Sequence, residues 1–266
     1  MSRKNPNNPK RVKGTVYLVG AGPGAPDLLT LRAARLLAEA DIVFHDALVH
    51  PETIALAAKA EKIAVGKRCG KHSTVQRFIN KRLVDAAATH RVVVRLKGGD
   101  PLVFGRAQEE IIALEAAGIP YEVVPGITAA LASAAAVGTS LSQRGSVRSI
   151  ALATPRVGDH ENASDWARGF AQADAGAIYM GIGEARAIAA ALRAAGKPPS
   201  RPVAIGESAS LPGQRVVYTT LAELPAFDAA AFVGPTLLLI GPQFVDRRAA
   251  ALDAATIRML LRSANA

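Results

Sequence analysis

The stretch "GGDPLVFGRAQEE", residues 98–110, collects groups that could do chemistry. Gly98 and Gly99 permit positive φ and remove side chains, so that backbone groups can touch a ligand. Asp100 could accept hydrogen bonds from a ligand amine or ribose, or offset a cation. Arg106 suits bidentate carboxylate recognition. Glu109 adds an acid a short step along. A ligand with a cationic centre on one side and an anionic partner on the other would use all of these. Two plainer readings stay open. Asp100 and Pro101 also make a turn, and Glu109 and Glu110 are the acids that a helix dipole favours in a first turn.

Other corners share the character. "GAGPG", residues 20–24, is similar to a dinucleotide fingerprint, in which glycines let the backbone approach a pyrophosphate. Its third glycine comes one residue early and Pro23 stiffens the loop, while Asp46 in "IVFHDALV" keeps a nicotinamide reading open. In "VVPGITAAL", residues 123–131, Thr128 could cap the next helix or offer its hydroxyl to a ligand. "YMG" sets Met180 at another strand end, as a soft contact or as core filling. Thr236 opens the apolar run "TLLLIG".

These corners need strands to hold them. Apolar β-rich runs at 15–20, 41–44, 62–65, 92–96 and 121–124 alternate with helical spacing over 28–40, 73–88 and 105–118. Such alternation predicts a mostly parallel sheet covered on both faces. A second set of strands is expected at 149–153, 176–181, 202–206, 215–220 and 236–241, with a helix at 183–196. The close spacing over 202–220 predicts a hairpin, hence a mixed sheet. The expected class is α/β in two domains, 14–140 and 145–245, with a break near 138–146. Residues 1–13 form a basic tail, and 246–262 read as an amphipathic helix.

Composition narrows the function. Of 266 residues half are hydrophobic and 20% are charged, a globular profile. One cysteine excludes an internal disulfide framework and fits a reducing cytosol. No signal peptide is evident, and the uncharged window 123–143 is too rich in small residues for a membrane span. A cytoplasmic location and no membrane partner are expected. The net charge is +10, with five basic residues and no acids in the first 13 positions. That balance fits nucleic acid, an acidic surface or a polyanionic small substrate, but no aromatic-interleaved basic platform for nucleic acid is present.

Taken together, "VYLVGAGPG", "HDALV", "VGKR", "RLKGGDP", "FGR" with "EE", "VPGITAA" and "YMG" occur in an order that resembles the uroporphyrinogen-III C-methyltransferases, within the tetrapyrrole methylase family. The resemblance spans residues 14–245. It implies two α/β domains with S-adenosylmethionine (SAM) in the cleft between them, and a homodimer. It implies methylation of uroporphyrinogen III at C2 and C7 to give precorrin-2, for siroheme or corrinoid synthesis, with S-adenosylhomocysteine as product and no metal. By resemblance Pro23, Gly98, Gly99, Asp100, Thr128, Ala129, Met180, Ala209 and Thr236 hold the cofactor. Arg106, Arg144 and Lys67 would bind substrate carboxylates, and Arg106 and Glu109 would lie beside the transferred methyl. Because arginine rarely deprotonates, Glu109 or Asp46 is the expected proton acceptor.

The sequence departs from that family where Ser142-Gln143-Arg144 replaces Thr-His-Arg, where Thr154-Pro155-Arg156 replaces Thr-Gly-His, and where Leu102 replaces phenylalanine. These positions lie on the presumed substrate side. They leave open another tetrapyrrole as substrate, or a SAM-binding protein without turnover. No dehydrogenase–chelatase domain precedes the match, so a monofunctional enzyme is expected.

Overall fold

The computed structural model describes residues 14–65, 72–158, 162 and 164–251. The chain divides into two compact units. One comprises residues up to Gly22 and Pro26–Gly126, the other Pro23–Ala25 and the residues from Ile127 on. This division falls earlier than the 138–146 break expected from the sequence. The reason is packing. The small-residue helix after Gly126 buries Ala130, Ala134 and Val137 against Leu237, Leu239 and Phe244 of the second unit.

The first unit carries five strands, β1 (Thr15–Gly20), β2 (Ile42–His45), β3 (Glu61–Ala64), β4 (Val92–Lys97) and β5 (Tyr121–Val124). All pair in parallel, in the order β3-β2-β4-β1-β5. Its helices are α1 (Leu31–Glu39), α2 (Pro51–Ala55), α3 (His72–Ala87) and α4 (Ala107–Ala116). Thr30 starts α1 by accepting the Ala33 N–H at 3.1 Å, a side-chain cap. Ala33 and Leu37 of α1 pack with Val19, Val43, Val94 and Leu96 on one face of the sheet. Leu83 of α3 and Ile111 and Leu114 of α4 pack with Val16, Leu18, Phe44 and Val93 on the other. The inner strands β1, β2 and β4, covered on both faces, read as apolar runs, which is why they were visible in the sequence.

The connections matter more than the layers. Strands β1 and β4 are neighbours, with Gly20 beside Lys97. The chain leaves β1 through α1 over one face and leaves β4 through α4 over the other. Adjacent strands whose connections diverge form a topological switch point, where open α/β sheets bind ligands at the carboxyl ends.

The second unit has β6 (Ile150–Ala153), β7 (Ala175–Tyr179), β8 (Pro202–Glu207), β9 (Arg215–Thr220) and β10 (Thr236–Ile240), with α5 (Ala129–Val137), α6 (Trp166–Gln172) and α7 (Ala185–Ala194). The sheet order is β6-β7-β10-β8-β9. It is mixed: β6 and β7 are parallel, while β10 runs antiparallel to both neighbours and β8–β9 is an antiparallel hairpin. Phe170, Ile188 and Leu192 cover one face and α5 the other. Residues 245–251 begin the expected C-terminal helix; the rest of that expectation, like the basic tail, lies outside the described residues. Among the described residues no helix is long and apolar enough to cross a membrane.

Candidate functional site

At the switch point three glycine corners of the first unit meet backbone to backbone. The Ala21 N–H donates to the Lys97 carbonyl at 2.7 Å. Gly22 and Gly99 exchange hydrogen bonds, Gly22 N to Gly99 O at 3.2 Å and Gly99 N to Gly22 O at 2.7 Å. A Cβ on Gly126 would lie 2.4 Å from Gly99 O, and one on Gly20 would lie 2.6 Å from the Gly126 Cα. Close approach of loops, not only ligand access, therefore explains Gly20 and Gly126. Of the pair at 98–99 only Gly99 has positive φ, at 67°. Gly98 is the open one: a Cβ there would meet a single neighbour, the Leu48 Cβ, at 3.4 Å.

Asp100 ties this cluster together. Its Oδ1 accepts the Leu102 N–H at 2.8 Å and its Oδ2 accepts the Gly126 N–H at 2.9 Å. The turn reading thus holds. A carboxylate has about four lone-pair positions, so two remain for a ligand.

The chain then passes through two strained residues, Phe104 at φ 52° and Arg106 at φ 56°. Left-handed backbone is unusual for side chains other than glycine or asparagine and clusters at functional sites. Arg106 is the residue from which α4 starts. Its Nε donates to Glu109 Oε1 at 2.6 Å and its Nη2 to Glu109 Oε2 at 2.8 Å. Both side chains are exposed. The two candidates are each other's partners, in a fork-to-fork pair.

Asp46, just past β2, is half-buried and leads inward to a set of charges that sequence reasoning missed. Arg95 and Lys97 of β4 are each 2% exposed and Glu110 of α4 is fully buried. Arg95 Nη2 donates to Asp46 Oδ1 at 2.5 Å and Nε to Glu110 Oε1 at 2.9 Å. Lys97 Nζ lies 3.1 Å from both Glu110 oxygens. Gln76 of α3 donates to Glu110 Oε1 at 3.3 Å and to Asn80 at 3.0 Å, and Asn80 donates to the Glu109 carbonyl at 3.0 Å. Burial works against the charged form of both cations. For Arg95 the two carboxylates outweigh it, and its pKa is raised. For Lys97 burial and the neighbouring Arg95 win, and its pKa is lowered despite Glu110.

A sequence signal for this existed. Two cations at alternate positions of a buried strand need a buried anion. Position 110 shares a helix face with the buried Ala107, Ile111 and Leu114.

The second unit presents its own corners. Thr128 starts α5 but makes no capping bond; its Oγ1 instead lies 2.6 Å from the Tyr179 hydroxyl, so the cap expectation is corrected. Ala129 is the first residue of α5, half-buried. Met180 follows β7 at φ 56° and is 44% exposed, so it does not fill the core. Ala209 is buried between Ser208 at φ 50° and Ser210 at φ 75°. The loop is held by Glu207, whose Oε1 accepts the N–H groups of Val233 at 2.7 Å and Gly234 at 2.9 Å, just before Thr236. Ser210 Oγ in turn accepts the Ala25 N–H at 3.1 Å, in the short segment that also carries Pro23.

Arg144 is exposed in a tight turn closed by the Gln143–Val147 bridge. Lys67 lies outside the described residues. Among the described residues no cluster of His, Cys, Asp and Glu could hold a metal ion.

Comparison with known proteins bears on this arrangement. The sequence profile of the Tetrapyrrole (Corrin/Porphyrin) Methylases matches residues 15–225. A siroheme synthase of Azotobacter vinelandii is 46% identical over 230 residues, which are 86% of this chain and 50% of that protein. The chain thus spans about half the length of the curated relatives it matches. Two crystal structures of uroporphyrin-III C-methyltransferase from Thermus thermophilus are also similar. The native form is 39% identical with a TM-score of 0.75, covering 86% of this chain and 92% of that one. A complex with S-adenyl homocysteine is 41% identical with a TM-score of 0.74, covering 86% and 98%. Parallel and mixed five-stranded sheets, the motif order along the chain and a profile match over most of its length converge: the chain belongs to the tetrapyrrole (corrin/porphyrin) methylases.

Proposed function

We propose that this protein is a SAM-dependent C-methyltransferase that methylates uroporphyrinogen III at C2 and C7 to give precorrin-2, feeding siroheme or corrinoid synthesis. The observation that carries the reading is the likeness to the S-adenyl homocysteine complex from Thermus thermophilus, 41% identical over 98% of that chain.

The residues present fit the cofactor. Gly98 leaves open space beside the switch point, and Asp100 keeps lone pairs for an ammonium or ribose hydroxyls. The exposed thioether of Met180 and the small Ala129 and Ala209 suit an apolar ring. Pro23, Gly98, Gly99 and Asp100, with Thr128, Ala129, Met180, Ala209 and Thr236, are the cofactor residues of this reading. When bound, SAM supplies an electrophilic methyl on a sulfonium and leaves as S-adenosylhomocysteine.

The chain's own work is positioning and electrostatics. Arg106 and the exposed Arg144, with Lys67, bind the acidic side chains of the macrocycle. Substrate carboxylates would compete with Glu109 for the Arg106 fork, and a Glu109 freed in this way could take the proton that the methylated ring loses. Asp46, fixed by Arg95, is the other acceptor and the one we favour, because its place does not depend on Arg106 letting go.

The test is the mass of the tetrapyrrole after anaerobic incubation of the protein with uroporphyrinogen III and SAM. A gain of two methyl groups is expected. No gain, with S-adenosylhomocysteine bound, would move the substrate to another tetrapyrrole or remove the activity, and the Ser142-Gln143 and Pro155-Arg156 departures would be the first suspects.

A further inference from the structure

Arg95 has no direct role in the reaction just proposed, yet its side chain makes four hydrogen bonds to described residues. Its guanidinium donates to Asp46 at 2.5 Å, to Glu110 at 2.9 Å, to the Leu96 carbonyl at 3.2 Å and to the Phe44 carbonyl at 3.5 Å. Folding alone does not need this. Buried ion pairs are often replaced by apolar side chains with no loss of stability, and the neighbouring Val93, Ile111 and Leu114 show that the same layer packs well when dry. What a rigid fork with four acceptors supplies is a single geometry.

We propose that Arg95 is a positioning residue for Asp46, with Glu110 as its anchor. It fixes the Asp46 carboxylate relative to the helix that carries Arg106 and Glu109. This rests on the reading of Asp46 as proton acceptor. Arg95 grips Oδ1, while Oδ2 makes no hydrogen bond to a described residue, and the Asp46 side chain keeps 30% of its surface exposed. The inner oxygen is tethered and the outer one is left to act. The tether is anchored where it must be. Glu110 sits one residue from Glu109, and Asn80 holds the Glu109 carbonyl at 3.0 Å. One guanidinium therefore ties Asp46 to α4 through Glu110, the residue next to Glu109. The attraction of the two carboxylates keeps Arg95 charged at any working pH.

Arg95→Lys keeps the charge and loses the fork. A displacement of about 1 Å in a catalytic group can cost about 10²-fold. R95K should therefore lower kcat about 10²-fold, with the KM for SAM and the affinity for S-adenosylhomocysteine within about twofold of wild type. R95K/D46N should be no slower than D46N, because Arg95 acts through Asp46. Wild-type kcat in R95K, or multiplied losses in the double variant, would overturn the proposal while leaving Asp46 in place. A parallel fall of kcat, cofactor affinity and thermal midpoint would overturn it in favour of a purely structural network. Wild-type kcat in D46N would sink the Asp46 reading and the proposal with it. If R95K does not fold, Asp46→Glu carries the test, since it moves the carboxylate and leaves the buried charges intact. Loss of kcat of about tenfold or more with cofactor affinity retained supports the proposal, and wild-type kcat overturns it.

Discussion

The two units solve one problem differently. Each must hold irregular loops at strand ends, and each uses a carboxylate to gather backbone N–H groups. In the first unit Asp100 gathers Leu102 and Gly126 and forms no ion pair with a described residue. In the second Glu207 gathers Val233 and Gly234, and Arg215 Nε adds a bond at 2.8 Å while its guanidinium lies 4.9 Å from the centre of the Phe232 ring. Left-handed residues follow both, Phe104 and Arg106 in one, Ser208 and Ser210 in the other. Beneath the loops the difference is sharper. The first unit backs its corner with buried Arg95, Lys97 and Glu110, whereas the second backs its own with Ile178, Ile205 and Leu238. Strain at the surface can rest on a charged floor or on a dry one. The charged floor lies beside the carboxylates proposed to move a proton.

The largest effect should come from breaking the charged floor. Glu110→Ala leaves two buried cations facing each other, and removing one partner from a buried network costs about 3–5 kcal/mol. Glu109→Gln, one residue away, breaks only an exposed pair and should cost under about 1 kcal/mol. Urea titrations followed by far-UV circular dichroism would compare the two. Equal losses would mean that the network contributes nothing special.

Steric comparison comes next. Gly126→Ala in the first unit drives a Cβ against backbone, 2.4 Å from Gly99 O and 2.9 Å from the Gly20 Cα. Backbone cannot rotate away, so about 1–3 kcal/mol should be lost. Gly234→Ala in the second unit meets a side chain instead, Ser208 Oγ at 1.9 Å. Adding Ser208→Ala should return the G234A protein to within about 0.5 kcal/mol of the S208A single variant. No serine-like rescue exists for Gly126, and finding a single side-chain substitution that restored it would undo the distinction.

The same contrast explains what the sequence made legible. The inner strands stood out because buried strands read as apolar runs, the largely exposed edge strands β3 and β6 showed as short apolar stretches, and the β8–β9 hairpin followed from spacing. Short α2 and α6 did not stand out, since neither is long enough to show a period. The switch-point corner was visible in "GGDP" and "GAGPG", but not that Gly20, Gly99 and Gly126 pack on one another, because their meeting is a product of strand order. Arg106 and Glu109 were singled out separately; that they bind each other depends on the left-handed backbone at 106. The charged floor was missed because "VVVRL" was read for its valines, and Glu110 was grouped with Glu109 as a first-turn acid rather than assigned to the face it shares with Ile111 and Leu114.

The smallest effect concerns an electrostatic device of the dry unit, the Glu207 carboxylate. The Gly234 N–H, against the opposing effect of burial and with help from Val233 and Arg215, holds the Glu207 carboxyl below its ordinary 4.5. Between that lowered value and 4.5 the unfolded chain binds more protons than the folded one, so stability rises with pH. The contribution is complete above about 4.5 and fades as the pH falls through the folded value. Glu207→Gln keeps an oxygen for both backbone donors and loses the charge, at a cost of about 1 kcal/mol at neutral pH. Asp41, Asp174 and Glu223 are also held low, but both proteins share them and they cancel in the difference. Trp166, the single tryptophan, lies in the second unit and reports its unfolding. The urea midpoints of wild type and E207Q, read by its fluorescence, should differ at pH 7 and converge as the pH falls through the lowered folded value of Glu207. A gap that persisted in acid would mean that the loop depends on the shape of Glu207 and not on its charge, and the two units would then differ less than their buried charges imply.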